Sequence, residues 1–300
     1  MVIIMNLINK FRIQTYNIGF ITKPVKEIVM NGILSGDIVW VKHNYKDRFF
    51  ADPFLWYRDK DHYFVLCEEM TFWEQKGVIS LLKIRKDSCE LVERKTVIEE
   101  STHLSFPFCE ENGNYVIPES LKSGQCKKYI FNDNHELVRS EVIFDEGLID
   151  SSFFMDKNGD EWMFTAKKTI PNKELFLYYK NAEGKYQPVK HNPVESNIRT
   201  TRSAGRFFYS NGKLYRPVQD CLGRYGKQTK ILEMKSISKD GIEYEDVATL
   251  NSFANPPFSQ TFHTFNVYND VIVIDGSYDF FRFPMKIFYR KCKWMFGGRK

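Results

Sequence analysis

Apolar and polar residues alternate with a period of two along most of the chain, and the alternating runs come in pairs. In five places an apolar or aromatic run is followed by a short Asn, Asp or Gly turn and a second apolar run: residues 51–69, 105–120, 149–166, 204–220 and 262–276. Such alternation, broken by turns like Asn112-Gly113, Asn158-Gly159 and Asn211-Gly212, predicts β-hairpins. Aligned on their turns, the hairpins place Asp52, Phe106, Asp150, Gly205 and His263 at one equivalent position, at intervals of 54, 44, 55 and 58 residues. Each interval leaves room for two more short strands, and residues 78–84 and 175–179 have that character. Four strands in a repeat of about 50 residues is the arithmetic of a propeller blade. The pattern therefore predicts an all-β, five-bladed β-propeller occupying residues 1–280 as one domain. Helical periodicity is confined to residues 23–31.

That geometry gathers chemistry at one place. In a propeller the first strand of each blade lines the central channel, so its opening residue stands at a channel mouth, and the second strand returns to the same mouth. The openings Asp52, Asp150 and His263 then converge with the returning ends Glu68/Glu69, Glu119, Gln219/Asp220 and Asp275. His103 and Arg202 each lie three residues before an opening and join the same rim. Singly, these residues have ordinary explanations: Asp52 precedes Pro53 and such a residue often caps a turn, and Pro118-Glu119-Ser120 reads equally as a polar loop. Their coincidence at one register is what surface solvation does not explain. Arg216 and Asp220 are spaced to pair, or Arg216 to hold a phosphate, and Tyr225 offers a ring for stacking. Carboxylates and amides for hydroxyls, with aromatic rings beside them, suit a sugar.

Composition narrows the remaining classes. The chain has 300 residues, 43% hydrophobic and 27% charged, with 26 Phe and 16 Tyr, which fits a soluble sheet-rich protein. Six scattered cysteines without a CxxC predict free thiols and no zinc site. No phosphate-binding loop, GxSxG motif or Cys/His nucleophile pair is present, so no cofactor and no metal is expected and the chemistry on offer is carboxylate acid/base work. No stretch approaches the roughly 18 apolar residues of a spanning helix, and the start lacks a signal-peptide core, which predicts a cytoplasmic protein. The net charge of +5 is mild, but residues 281–300 are rich in Lys and Arg, free of acid from 282 on, and interleaved with Phe, Trp and Met. Such a tail reads either as a peripheral contact with the inner face of an anionic membrane or as a solvated basic tail or closing strand. A nucleic-acid partner is not expected, because the rest of the chain has no basic face or recognisable module.

The residues around these openings, "FFADPF", "HLSFPF", "YVIPES", "LIDSSFF", "TRSAGRFF", "LYRPVQDC" and "FHTF", carry a resemblance. Together, over residues 16–280, they resemble the five-bladed domain at the N-terminus of plant glucosamine inositolphosphorylceramide transferases. Similar domains stand alone or fused to formyltransferase-like domains in bacterial surface-polysaccharide gene sets. More distantly, the first and third openings are similar to those of glycoside hydrolase families 43 and 32. That resemblance implies Asp52 as a base or nucleophile and Asp150 as its supporting partner. The hydrolase general-acid Glu has no counterpart, because the matching stretch reads Thr201-Arg202-Ser203-Ala204-Gly205-Arg206. Hydrolysis needs a proton donor as well as a base, which Glu119, Glu69 or Asp220 would have to supply.

Transfer from an activated donor instead needs positive charge for a phosphate leaving group and a base for the acceptor hydroxyl. Arg202, Arg206, Arg216 and His103 would provide the first and Asp52 the second. The leading expectation is a glycosyltransferase of surface polysaccharide or glycolipid assembly, with an activated sugar donor and a glycan or lipid-linked acceptor. In it Asp52 is the base, Asp150 orients it, Arg202 and Arg216 clamp phosphate, and Glu119 and His103 hold sugar hydroxyls. Glu69, Gln219, Asp220, Tyr225 and His263 complete the substrate site. A family 43-like glycoside hydrolase or phosphorylase and a non-catalytic sugar-binding module are the alternatives.

Overall fold

The computed structural model describes residues 12–281 apart from 34, 75, 252–256 and 270. The chain opens with β1 (Arg12–Ile21), a short helix α1 (Val25–Asn31) and β2 (Ile38–Trp40). Blade one follows as β3 (Arg48–Arg58), β4 (His62–Thr71), β5 (Gly77–Arg85) and β6 (Leu91–Ile98). Blade two is β7 (Ser105–Phe108), β8 (Tyr115–Glu119), β9 (Cys126–Phe131) and β10 (Leu137–Phe144). Blade three is β11 (Leu148–Met155), β12 (Glu161–Lys167), β13 (Glu174–Lys180) and β14 (Tyr186–Pro188), with the two-residue β15 (Glu195–Ser196) added against β13. Blade four is β16 (Phe208–Ser210), β17 (Lys213–Asp220), β18 (Gln228–Ser238) and β19 (Gly241–Leu250). The last strands, β20 (Phe265–Tyr268) and β21 (Val271–Phe281), begin a fifth sheet that β1 and β2 complete, in the order β2-β1-β21-β20.

The predicted all-β five-bladed propeller is the observed fold. Residues 78–84 and 175–179 lie in β5 and β13, and residues 25–31 of the helical stretch form α1. The Asn211-Gly212 turn has both residues at positive φ, the two-residue turn whose twist matches its flanking strands. The closing blade differs from the sequence expectation: its outer strands come from the start of the chain, with β1 paired along ten residues of β21. The basic tail expected at residues 282–300 lies outside the described residues, as does Cys292; the other five cysteines are buried free thiols.

Blades pack through their aromatic faces, which is where the phenylalanine content goes. Phe54 of blade one meets Phe106 of blade two edge-on with ring centroids 5.0 Å apart, Phe108 meets Phe153 of blade three at 5.1 Å, and Phe154 meets Phe207 of blade four at 5.1 Å. Phe208 then approaches Phe265 of blade five at 6.2 Å. Each ring is a large apolar surface shared between two sheets, so the core is spread around the ring rather than held in one layer. Trp56 adds a polar tie by donating its indole N–H to Gly113 O of the next blade at 2.7 Å.

The inner strands share one irregularity that positions the site. In blade one, Ala51 pairs with Glu68 and Phe54 with Leu66, so Asp52 and Pro53 face a single residue, Cys67. The same two-against-one bulge falls at Phe106-Pro107 in blade two and Asp150-Ser151 in blade three. Asp52, Phe106 and Asp150 all take positive φ there (50°, 41° and 42°). Non-glycine residues rarely adopt that conformation, and a bulge re-aims the side chain it carries. At the matching place in blade four stands Gly205, at φ 155°, where a Cβ would meet Phe265 O at 2.5 Å.

Candidate active site at the channel mouth

The bulges tie the blades together through their own carboxylates. Asp275, at the returning end of β21, accepts the Asp52 backbone N–H at 3.1 Å. Asp52 in turn accepts the Phe106 N–H at 3.2 Å and the Thr264 hydroxyl at 2.9 Å. Glu119 of blade two accepts the Asp150 N–H at 3.3 Å. An acid in one blade thus caps the bulge amide of the next, and the acidic groups converge because the bulges do.

His263 anchors one side of this cluster. Its Nδ1 lies 2.7 Å from Asp275 Oδ2, an ion-pair contact rather than a well-aligned hydrogen bond, and its Nε2 lies 3.6 Å from Asp52 Oδ1. Tyr16 of β1 stacks on the imidazole at 4.8 Å, and Tyr225 meets it edge-on at 5.5 Å. Burial favours a neutral ring, but Asp275 and Asp52 outweigh it and lift the His263 pKa to about 9. For Asp52, burial dominates and raises the pKa to about 6; His263 opposes the rise, while Asp150 and Asp275 add to it. The three side chains are also close enough together to surround a cation, but the imidazolium already supplies a positive charge between the two carboxylates.

Arg202 anchors the other side. Its Nε donates to Asp150 Oδ2 at 2.5 Å, Nη1 to Asn172 Oδ1 at 2.9 Å, and Nη2 is 3.7 Å from Glu119. The guanidinium also lies over the Tyr225 ring, 4.7 Å from its centroid. Gln219 donates to the same Asp150 oxygen at 3.0 Å. Burial, followed by the neighbouring Asp150, pushes the Glu119 carboxyl well above the usual range, against the opposing pull of Arg202. Glu68 is raised in the same direction by burial and by Asp52. The mouth therefore sets carboxyls shifted towards their protonated form beside carboxylates that are hydrogen-bonded or ion-paired.

Of the residues expected at the mouth, Asp52, Asp150, Glu119, Arg202, Gln219, Tyr225 and His263 come together. His103 sits at the edge: its Nδ1 accepts the Gly77 N–H at 2.8 Å, so the neutral ring presents Nε2 to Glu68 at 3.4 Å. Burial depresses its pKa to about 4, so it brings no positive charge for a phosphate.

Four expected residues are placed elsewhere. Glu69 is turned to the opposite face of β4, held by Arg48 at 2.5 Å, Arg94 at 2.5 Å and the Ser80 hydroxyl at 2.6 Å; its neighbour Glu68 takes the mouth position. Arg216 is fully buried, donating to Thr200 O at 3.1 Å and Thr201 O at 2.7 Å with its guanidinium against Phe164 of blade three. Burial lowers its pKa to about 10, and it neither clamps a phosphate nor pairs with Asp220. Asp220 instead accepts from Arg199, Gln228 and the Leu222 N–H, fixing a turn. Arg206 pairs with Glu110 and lies over Tyr268, beyond the bulge and away from the acids of the mouth. Three residues that sequence reasoning did not weigh as site members, Tyr16, Thr264 and Asn172, support the cluster; Thr264 was legible as the neighbour of His263, the others only through the ring closure and the Arg202 contact.

Comparison with known proteins places the chain in a family. The family described as glucosamine inositolphosphorylceramide transferase 1, N-terminal, matches residues 23–264. Glucosamine inositolphosphorylceramide transferase 1 of Oryza sativa subsp. japonica is 32% identical over 213 residues, 68% of this chain, and that of Arabidopsis thaliana is 32% identical over 212 residues, 66% of this chain. The chain spans 28% and 27% of the length of those two relatives. Among solved structures, RS223-β-xylosidase aligns with a TM-score of 0.49 at 10% identity, over 77% of this chain and 92% of that one. Zg3597, a family 117 glycoside hydrolase from Zobellia galactanivorans, aligns with a TM-score of 0.47 at 10% identity, over 79% and 88%.

Proposed function

The chain belongs to the glucosamine inositolphosphorylceramide transferase 1 N-terminal family, and from that premise we propose that its mouth transfers a sugar during assembly of a surface polysaccharide or glycolipid. The observation that carries the reading is the gathering of Asp52, its pKa raised to about 6, with Glu119 and Glu68, both shifted upward by burial, in one buried cluster. Proton transfer works best when the acid and the base have pKa values displaced towards the working pH. Asp52 takes the proton of the attacking hydroxyl, with His263 compensating its charge. Glu119, beside Asp150 and Arg202, donates a hydrogen bond to the sugar or its leaving oxygen, and Tyr225 covers an apolar sugar face. The relatives' name specifies glucosamine, which makes an amino sugar the first substrate class to try.

Handling of a phosphate leaving group rests on Arg202 alone, since Arg206 and Arg216 are committed elsewhere. Glycoside hydrolysis or phosphorolysis is therefore the second reading, favoured by Glu119, whose upward shift suits the proton donor that the hydrolase resemblance lacked. Contact of residues 281–300 with the inner face of a membrane, bringing a lipid-linked acceptor to the mouth, is part of the same proposal. Among the described residues no helix is long and apolar enough to cross a membrane. The test is incubation with a panel of nucleotide sugars and lipid-linked acceptors. Release of nucleoside phosphate together with a glycosylated acceptor is expected; release of free sugar from oligosaccharides, with no donor consumed, would replace transfer by hydrolysis.

A further inference from the structure

A second concavity lies on the flank of the propeller, at the seam where blade five meets blade one. It has a volume of about 1120 Å³ and runs between β2 and the segment after it on one side and the start of β6 on the other. The walls are fixed by backbone bonds across the seam: Lys42 N–H donates to Cys89 O at 2.8 Å, and Leu91 N–H to Lys42 O at 3.0 Å. Asn17 holds the same segment by donating to Val41 O at 2.9 Å. The cleft does not depend on an induced closure.

We propose that this seam cleft is a saccharide-binding site, distinct from the mouth. Trp40 supplies the platform. A Cβ on Gly19 would come within 3.0 Å of the indole and one on Gly276 within 2.6 Å, so two glycines clear the sheet for the ring. Phe258, its centroid 4.8 Å from that of Trp40, and Tyr278, 5.3 Å from Phe258, extend the aromatic wall. His43 lines the same cleft, its ring edge-on to Phe50 with centroids 5.2 Å apart. Lys42, Glu90 and Glu93 line the cleft with both signs of charge. Flat rings with mixed donors and acceptors fit a polyhydroxylated ligand better than an apolar or a purely anionic one. The cleft exceeds the room one sugar ring needs, so an oligosaccharide is the expected occupant.

The inference borrows only its ligand class from the sugar-handling reading of the mouth. The probe is an array of neutral and amino-sugar oligosaccharides, followed by calorimetric titration of the retained glycan. Wild-type protein is expected to retain at least one glycan. Trp40→Ala and His43→Ala are each expected to weaken it at least tenfold, while Asp52→Asn leaves it unchanged. His43→Ala, in a segment outside the strands, keeps the test valid if Trp40→Ala fails to fold. Retention of no glycan by the wild type overturns the proposal. So does a glycan lost in Asp52→Asn but kept in His43→Ala, which would assign all binding to the mouth.

Discussion

His263 and Asp275 meet at 2.7 Å inside the fifth blade, and both backbone N–H groups that open the turn at His263 and Thr264 donate to the other oxygen of the same Asp275. One carboxylate thus holds both the imidazolium and the backbone that presents it. Because the folded pKa of about 9 lies above the ordinary 6.5, the stabilisation is complete below about pH 6.5 and is lost as the pH rises through 9. A displacement of this size corresponds to a contribution of up to about 3 kcal/mol. Asp52 acts in the same direction at lower pH, since a carboxyl raised from 3.8 to about 6 disfavours folding progressively over that interval. Chemical denaturation at pH 6 and pH 9.5 should show the wild type losing stability on the alkaline side, with the loss largely absent in His263→Gln. Parallel curves for the two proteins would contradict the assignment.

Asp52→Asn preserves the size of the side chain and an oxygen for Thr264 or the Phe106 N–H, but removes the base. Turnover should fall by about 10²- to 10⁴-fold, with the thermal midpoint changed by no more than a few degrees. The check is product formation by chromatography alongside a melting curve; equal loss of both would make Asp52 a structural cap.

Glu119→Gln and Glu69→Gln separate the mouth from the face behind it. Glu119→Gln should depress turnover and remove the alkaline limb of its pH profile, because the amide cannot give up a proton. Glu69→Gln should leave the pH profile intact and instead lower stability by about 1–3 kcal/mol, since Arg48 and Arg94 lose a charged acceptor. Unfolding curves and rate profiles on both variants decide it.

Arg216→Met should destabilise the protein by about 2–4 kcal/mol, leaving the Thr200 and Thr201 carbonyls without their donor. Activity per folded molecule should not change. A change in donor KM without loss of stability would return Arg216 to the mouth.

The contrast between these residues explains what the chain disclosed before its structure was known. Repeat spacing sufficed for the blades and for Asp52, Asp150 and His263, because alignment on the turns identifies the opening position without any knowledge of side-chain direction. Glu68 and Glu69 could not be told apart that way. Adjacent strand residues point to opposite faces, and the bulge at Asp52-Pro53 shifts the register by one just before they are reached. Arg216 failed for the same reason: it shares a strand face with Val218, which packs with Phe164 of blade three, and a charged residue in a strand reads as functional until that face is known. Tyr16 was illegible because no local pattern announces that residues 12–21 will pair with residues 272–281.

That pairing has a consequence for when the site comes into being. Tyr16 is among the first described residues to be synthesised, whereas His263 and Asp275 come near the end of the described chain, and β1 joins β21 only across the intervening residues 22–270. Contacts of such sequence separation form late, after the loop entropy of the whole ring has been met. During translation four blades can stand complete while Asp52 still lacks the Asp275 and Thr264 contacts that accompany its burial. A ribosome-bound or prematurely ended chain thus carries Asp52 without its counter-charge His263, and competence arrives in a single step when the two ends of the ring meet.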